Sequence, residues 1–366
     1  MNSFTTSSRP LGTPIRVALI GYGNAGRIFH APLISGVPGL QLACIVSSKP
    51  DAVQADWPGV QVLPTPEALL ADPNIDVVVI ATSNESHHPL AKAALLAGKH
   101  VLVDKPCAVT LAQTDDLLAT AKAQNRVLTV FQNRRFDADF LTLQAVLASG
   151  QLGRVVQVES HFDRYRPQVP GRWRDQDLPG SGLWFDLGAH LVDQALQLFG
   201  APEALMVDTA RQRAGALTND WFHAQLRYEG QHPGLRVILH ASALVPELGP
   251  RWVVHGTEGS YIKYGLDPQE DVLKTGRRPH LNALQDWGQD PRLGQVVRQE
   301  GDPTQLQRVV RAAPEVPGNY LQFYANLRDH LLGEAALQVT PSQVRAVMAC
   351  LCVGEDSAAQ GRFLPL

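Results

Sequence analysis

Apolar residues fall in two rhythms along this chain. Over the first third, short runs rich in β-branched residues, at 15–20, 40–46, 60–63, 76–82, 100–103 and 126–131, alternate with helix-like stretches such as 27–34 and 89–99. Strands alternating with helices predict a parallel sheet with right-handed crossovers. After a helical stretch at 136–149 the rhythm changes, and β-like runs follow one another at 155–165, 204–211, 222–228, 235–244 and 251–264, the last broken by the turn Gly256-Thr257-Glu258-Gly259. Successive strands with few helices between them predict an antiparallel sheet, one face packed on helices and the other open to a second subunit. The charged, irregular stretch 281–314 reads as loops. Helices at 320–332 and 342–359 follow, the second starting just after Pro341.

The first strand runs into Gly21-Tyr22-Gly23-Asn24-Ala25-Gly26 and then into a helix, which is G-x-G-x-x-G in strand-to-helix context. One glycine serves the tight turn, one lets backbone approach a pyrophosphate, and one allows close helix–strand packing, with the anion at the helix N-terminus. The fold class is therefore α/β plus α+β, an N-terminal Rossmann parallel sheet and a C-terminal domain on a large open antiparallel sheet. We place the boundary near Asn133, giving a nucleotide-binding domain at 1–132 and a substrate-binding and oligomerisation domain at 133–366. The polar, Ser/Thr-rich start, residues 1–12, reads as a mobile tail without the apolar core of a secretory signal.

An NAD enzyme places an acidic residue about twenty positions past the glycines to bind the ribose hydroxyls. Here the second strand ends in Ser47-Ser48-Lys49. Two hydroxyls and a cation suit a 2′-phosphate, so NADP is the expected cofactor, while nearby Asp51 keeps NAD open. Thr82, Asn84 and His87 stand at the next carboxyl edge of the sheet, where a doubly wound fold holds its ligand, and Asp104-Lys105-Pro106 at the one after it.

Charge narrows the partners. Lys+Arg 32 against Asp+Glu 35 gives a net charge of -3, which draws the chain neither to nucleic acid nor to an anionic membrane, and no apolar run approaches the roughly 18–20 residues of a membrane span. A small-molecule substrate is expected. The four cysteines, Cys44, Cys107, Cys350 and Cys352, form no CxxC pair or zinc set, so no metal is expected and a reducing cytoplasm is the natural compartment.

One further stretch bears on chemistry. Gly180-Ser181-Gly182 leads into a helical run in which Asp186 and His190, four apart, share one face. Read alone, such a pair is that of a helix-capping aspartate and a partly buried histidine. Asp193, three residues on, reads as a helix-surface or supporting carboxylate.

Taken together, Gly21 to Gly26, the Thr82 to His87 edge, Asp104-Lys105-Pro106, and Asp186 with His190 resemble the glucose-fructose oxidoreductase and inositol dehydrogenase (Gfo/Idh/MocA) family. That family usually has Glu-Lys-Pro where this chain has Asp-Lys-Pro. Longer stretches, Gln132 to Thr142, Asp163-Arg164-Tyr165-Arg166-Pro167, Arg172-Trp173-Arg174 and Tyr264 to Glu270, resemble its branch of NADP-dependent scyllo-inositol dehydrogenases. The resemblance implies catalysis by Lys105, Asp186 and His190. It implies cofactor contacts from Gly21, Gly23, Asn24, Ala25, Gly26, Ser47, Ser48, Lys49, Thr82, Asn84, His87, Asp104 and Lys105. Asn133, Arg134, Tyr165, Arg166 and Trp173 would bind substrate, and a homodimer or homotetramer would form through the C-terminal sheet.

The expected reaction is reversible oxidation of a secondary hydroxyl on a cyclitol. Dehydrogenation or reduction of another sugar or sugar acid, and a non-catalytic NADP-binding sensor, are the alternatives. The dense arginines between Arg134 and Arg174 separate two substrate classes: paired with Asp137, Asp139, Asp163 and Asp175 they are structural, and converging on the pocket they favour an acidic sugar. Trp173 is either a pocket wall or a core anchor.

Overall fold

The computed structural model describes residues 12–302 and 305–366. Most of the expected N-terminal tail, residues 1–11, lies outside them. The chain divides into two compact units, one of Met1–Asn133 with Gln269–Trp287 and Asn319–Arg345, the other of Arg134–Pro268, Gly288–Gly318 and Ala346–Leu366.

In the first unit, β1 (Ile15–Ile20), β2 (Leu40–Val46), β3 (Gln61–Leu63), β4 (Val77–Ile80), β5 (His100–Val103) and β6 (Leu128–Val130) form one parallel sheet in the order β3-β2-β1-β4-β5-β6. This is the doubly wound order, with its crevice where the strand order reverses beside β1. The central strands are near-continuous apolar runs because helices cover both faces, and all four residues of β4 are buried. The helix Leu111–Ala123 starts where Thr110 Oγ1 accepts the Gln113 N–H at 3.2 Å. Gln269 joins the later segments of this unit: its buried Oε1 accepts both the Trp287 indole N–H, at 2.9 Å, and the Tyr320 N–H, at 2.8 Å.

In the second unit, β7 (Val155–His161), β8 (Ala204–Ala210), β9 (Trp221–Arg227), β10 (Arg236–Ser242), β11 (Pro250–Gly256), β12 (Gly259–Tyr264), β13 (Gln295–Glu300), β14 (Gln307–Ala312) and β15 (Leu364–Pro365) make a nine-stranded sheet. Its order is β14-β13-β12-β11-β7-β10-β9-β8-β15. Pairing is antiparallel except between β7 and β10. Alternation is clean: Phe222, Ala224 and Leu226 of β9 and Val237, Leu239 and Ala241 of β10 are buried, while Trp221, His223 and Gln225 face the other way.

The expectation of loops across 281–314 is corrected by β13 and β14, which pair from Gln295↔Ala312 to Glu300↔Gln307. This ribbon lies at the sheet's edge with β14 almost wholly exposed, so it lacks the apolar alternation that marks a strand. Cross-strand charge pairing stands in its place, Arg311 Nη2 reaching Glu300 Oε2 at 3.0 Å. No helix among the described residues is long and apolar enough to cross a membrane.

Within the first sheet His100 is held in its neutral form. Its Nδ1 accepts the Val127 N–H at 3.0 Å, and burial, with Arg126 nearby, pulls its pKa down to about 4. An unfolded histidine titrates near ~6.5, so between those two values the unfolded chain binds a proton that the folded chain refuses. Stability from this residue is complete above the unfolded value and is lost as pH falls toward 4. The slope is at most about 1.4 kcal/mol per pH unit. Urea titrations at pH 7, 5.5 and 4.5 should show His100→Gln losing less stability on acidification than the unsubstituted protein.

Candidate active site

The nucleotide edge is built by close backbone approach. Gly21 has φ +100° at the end of β1, and a Cβ there would lie 2.4 Å from the Ala81 carbonyl oxygen; one on Gly26 would lie 2.1 Å from the Gly21 oxygen. Nothing stands within 4 Å of the corresponding point on Gly23. Two glycines thus close the strand-to-helix turn and the middle one leaves space above it, the cradle a pyrophosphate requires. The helix that follows begins as a π turn over Ala25–His30 and becomes α only at Ala31–Ser35. Apolar periodicity marks a helical face without distinguishing i→i+4 from i→i+5 closure, so the sequence could not show this.

Ser47, Ser48 and Lys49 follow β2 with Ser48 and Lys49 exposed, and the Lys49 N–H donates to Ser47 Oγ at 3.0 Å, tightening the turn. Asp51 lies in the first turn of the next helix, Pro50–Asp56. At the β4 edge Thr82 Oγ1 and Ser86 Oγ share a hydrogen bond of 2.6 Å, and Asn84 and His87 are buried. The His87 Nδ1–H donates to the Pro106 carbonyl at 2.8 Å, and burial pushes its pKa below the ordinary value.

Asp104 and Lys105 are buried together. The Lys105 N–H donates to Asp104 Oδ1 at 2.9 Å, and His30 Nε2 stands 3.8 Å from the same oxygen while its Nδ1 meets the Tyr324 hydroxyl at 2.6 Å. Burial works against the charge on Asp104, yet His30, Lys105 and His87 hold its pKa below the usual carboxylate value. His30 and Tyr324 support the backbone that carries Lys105, and sequence reading missed both. No motif links positions 294 residues apart.

The second unit carries the Asp/His stretch. The helical run expected there is in two parts, a π turn over Trp184–Gly188 that holds Asp186 and an α-helix over Ala189–Phe199 that holds His190. Trp184 anchors the π turn, with its indole N–H on the Leu351 carbonyl at 2.9 Å and its ring edge-on to Phe222 at 5.1 Å. Asp193 is no surface carboxylate. It is buried, and Arg135 grips it with Nε at 2.8 Å and Nη2 at 2.6 Å. Burial pushes the Asp193 carboxyl up and Arg135 pulls it back. Gln194 next to it donates to the Arg134 carbonyl at 2.8 Å and accepts from Arg251 Nη2 at 2.7 Å, and Arg251 Nε stands 3.1 Å from Asp139.

The arginine-rich segment divides between structure and pocket. Arg134 is buried, 3.5 Å from Asp137 and over the Phe162 ring, and Asn133 is buried at the end of the first unit. Arg164, Arg166, Arg172, Arg174 and Arg213 line one pocket with Asp186. Tyr165 is exposed; Trp173 is half-buried, with the Arg174 guanidinium 4.8 Å over its ring. Another grouping escaped the sequence because strand pairing alone creates it. His161 and His240 face each other across β7 and β10, and with Asp163 they offer ligand atoms within 4.8 Å of one another.

Family models match both parts of the chain: the oxidoreductase family NAD-binding Rossmann fold over residues 15–132 and its C-terminal alpha/beta domain over 144–366. The chain belongs to the Gfo/Idh/MocA oxidoreductase family. Among Gfo/Idh/MocA relatives, the uncharacterized oxidoreductase YdgJ of Escherichia coli is 54% identical over 94% of this chain and 96% of its own. The scyllo-inositol 2-dehydrogenase (NADP(+)) IolW of Bacillus subtilis is 34% identical, covering 96% of each. A solved structure from Yersinia pestis superposes with TM-score 0.90 at 48% identity, covering 98% of this chain and 99% of that one. The protein is thus an oxidoreductase with a nicotinamide-cofactor fold, and its glycine cradle fits that fold.

Because Asp193 and Arg135 are both buried, removing either leaves an uncompensated charge. Arg135→Ala and Asp193→Ala should each lower the unfolding free energy by about 3–5 kcal/mol, and the double variant Arg135→Met/Asp193→Leu by less than the sum of the two. Chemical denaturation of the three proteins checks this.

Proposed function

We propose that this oxidoreductase moves a hydride between NADP(H) and a secondary hydroxyl or ketone carbon of a polyol or sugar ring, with scyllo-inositol oxidation as the leading case. The observation that carries the reading is the occurrence, in one family member, of the glycine cradle, Lys105 after β5, and the Asp186/His190 helix start. Ser47, Ser48 and Lys49 at the end of β2 favour the 2′-phosphate of NADP, as does the similarity to IolW, whose name carries both NADP(+) and scyllo-inositol.

The bound nicotinamide supplies the hydride acceptor. Gly21, Gly23, Asn24, Ala25 and Gly26 hold the pyrophosphate, and Thr82, Asn84, His87 and Asp104 complete the edge. In this reading His190 takes the proton of the reacting hydroxyl as general base. Asp186 orients the imidazole and stabilises its cation. Lys105 donates to the reacting oxygen and offsets the charge that develops there. Asn133, Arg134, Tyr165, Arg166 and Trp173 are the side chains assigned to the ring. None of the four described cysteines forms a disulfide, which suits a cytoplasmic protein, and the outward face of the nine-stranded sheet is the surface assigned to self-association.

Following NADPH absorbance with scyllo-inositol, His190→Ala should depress turnover by about 10² to 10⁴ while NADPH binding persists. Unchanged turnover would remove His190 from the chemistry. In the same assay NADP should outperform NAD in kcat/KM, and Lys49→Ala should lower the NADP value by about tenfold or more, as the loss of one charge-assisted contact does. A preference for NAD would reassign the end of β2.

A further inference from the structure

The outward face of the nine-stranded sheet holds a cluster of side chains that hydride transfer does not use. It forms at β7 and β10, the parallel pair of the sheet, where the register sets His161 directly beside His240. Residues paired in this way point to the same face, here the one opposite the buried Leu239 and Ala241. The two imidazole rings lie 5.3 Å apart, centroid to centroid. Asp163, two residues past His161, falls on that face as well. The pairing continues beyond β7 through the Phe162 N–H on the His240 carbonyl and the Arg164 N–H on the Ser242 carbonyl, both at 2.9 Å.

Three groups converge there. Asp163 Oδ1 accepts the Ser242 N–H at 2.9 Å, which fixes the carboxylate against β10. His240 Nε2 stands 3.5 Å from that oxygen, and His161 Nδ1 stands 3.6 Å from Asp163 Oδ2. These spacings are long for hydrogen bonds. They are close to the separation of about 3.4 Å between ligand atoms that each bond a tetrahedral zinc ion at about 2.0–2.2 Å. One ligand atom from each residue lies within 4.8 Å of the others, so small side-chain rotations close the set.

The supporting contacts also suit a metal. With its proton on Nε2, His161 donates to Glu159 Oε2 at 3.3 Å, and Glu159 Oε1 in turn accepts from Gln157 Nε2 at 2.6 Å. A carboxylate on the far nitrogen orients the ring and leaves Nδ1 as a lone-pair donor, as it does for metal-bound histidines. Trp221 and His223 wall the His240 ring, with centroids at 5.6 and 5.8 Å. Arg251, whose Nη1 meets the His161 carbonyl at 3.3 Å, is itself paired with Asp139 at 3.1 Å. The three ligand side chains are partly buried rather than sealed, so an ion can enter from solvent.

Two imidazole nitrogens and a carboxylate select against calcium and magnesium, which take oxygen sets, and suit zinc. The expectation of no metal rests on cysteine spacing, and this cluster contains no cysteine. We propose that His161 Nδ1, His240 Nε2 and the Asp163 carboxylate bind one zinc ion that clamps β7 to β10 on the outward face of the sheet, with water in the fourth position. All three ligands come from one chain, so the site needs no second copy. Lys105, Asp186 and His190 are not among its residues, and it stands independently of the hydride-transfer reading.

The test uses the full-length protein without an affinity tag, stripped with chelator and then freed of it. Titration calorimetry with zinc chloride should show one ion per chain with a Kd of about 1 μM or tighter, and magnesium chloride should give no binding. Glu159→Gln should weaken zinc by about tenfold, and His240→Ala and Asp163→Asn by about a hundredfold or more. Asparagine keeps an acceptor for the Ser242 N–H, so Asp163→Asn carries the result if His240→Ala does not fold. Zinc should also raise the melting temperature of the unsubstituted protein and leave that of Asp163→Asn unmoved. No zinc binding overturns the inference, as does zinc held by either folded variant as tightly as by the unsubstituted chain, or magnesium bound with equal affinity.

Discussion

A two-pronged ion pair sealed inside the second unit decides where His190 stands. The apolar side of the helix Ala189–Phe199, with Leu191, Val192, Ala195 and Phe199 buried, could pack at more than one rotation, because hydrophobic contact has no direction. Arg135 on Asp193 and Arg251 on Gln194 have direction, and both partners sit within one turn of His190. Burying such charges costs stability that apolar residues of the same size would not, so the pair is better understood as specifying a single orientation than as strengthening the fold.

The same economy runs through the arginines. Arg134, Arg135, Arg172, Arg213 and Arg251 are tied to Asp137, Asp193, Asp175, Asp220 and Asp139, and of these the Arg251–Asp139 pair joins strand β11 to a helix. The backbone of Arg164 and Arg166 is held by Ser242 and Ala243, and Arg213 Nη1 also reaches the Arg166 carbonyl.

Much of this was legible from the chain. Parallel strands buried on both faces must be apolar runs, and a strand-to-helix turn over a ligand must be glycine-rich, so β1 to β6 and Gly21 to Gly26 declare themselves. What stayed hidden has a common cause: it depends on partners far away in sequence or on hydrogen-bond closure. Asp193 could be read as either a helix-surface or a supporting carboxylate because Arg135 is 58 residues off, and His30 gave no sign of Tyr324. β13 and β14 lacked alternation because an exposed edge ribbon has little to bury. The density of arginines near Arg166 was plain, but only the folded chain shows that Arg172, Arg174 and Arg213 line one pocket while also meeting carboxylates.

The two π turns, Ala25–His30 and Trp184–Gly188, fall in the two stretches that carry the family's motifs. Each holds a residue count that an α-helix of the same height would not. One residue in an α-helix amounts to about 100° of rotation, so losing or gaining a single position near Asp186 would swing it around the axis relative to His190, whatever residues remained. Away from Gly26 and Gly188, where an added Cβ would meet the Gly21 oxygen or the Trp184 ring, point substitutions there can be absorbed by repacking, whereas a one-codon insertion or deletion cannot. Length, as much as residue identity, is what descent must preserve in these two turns.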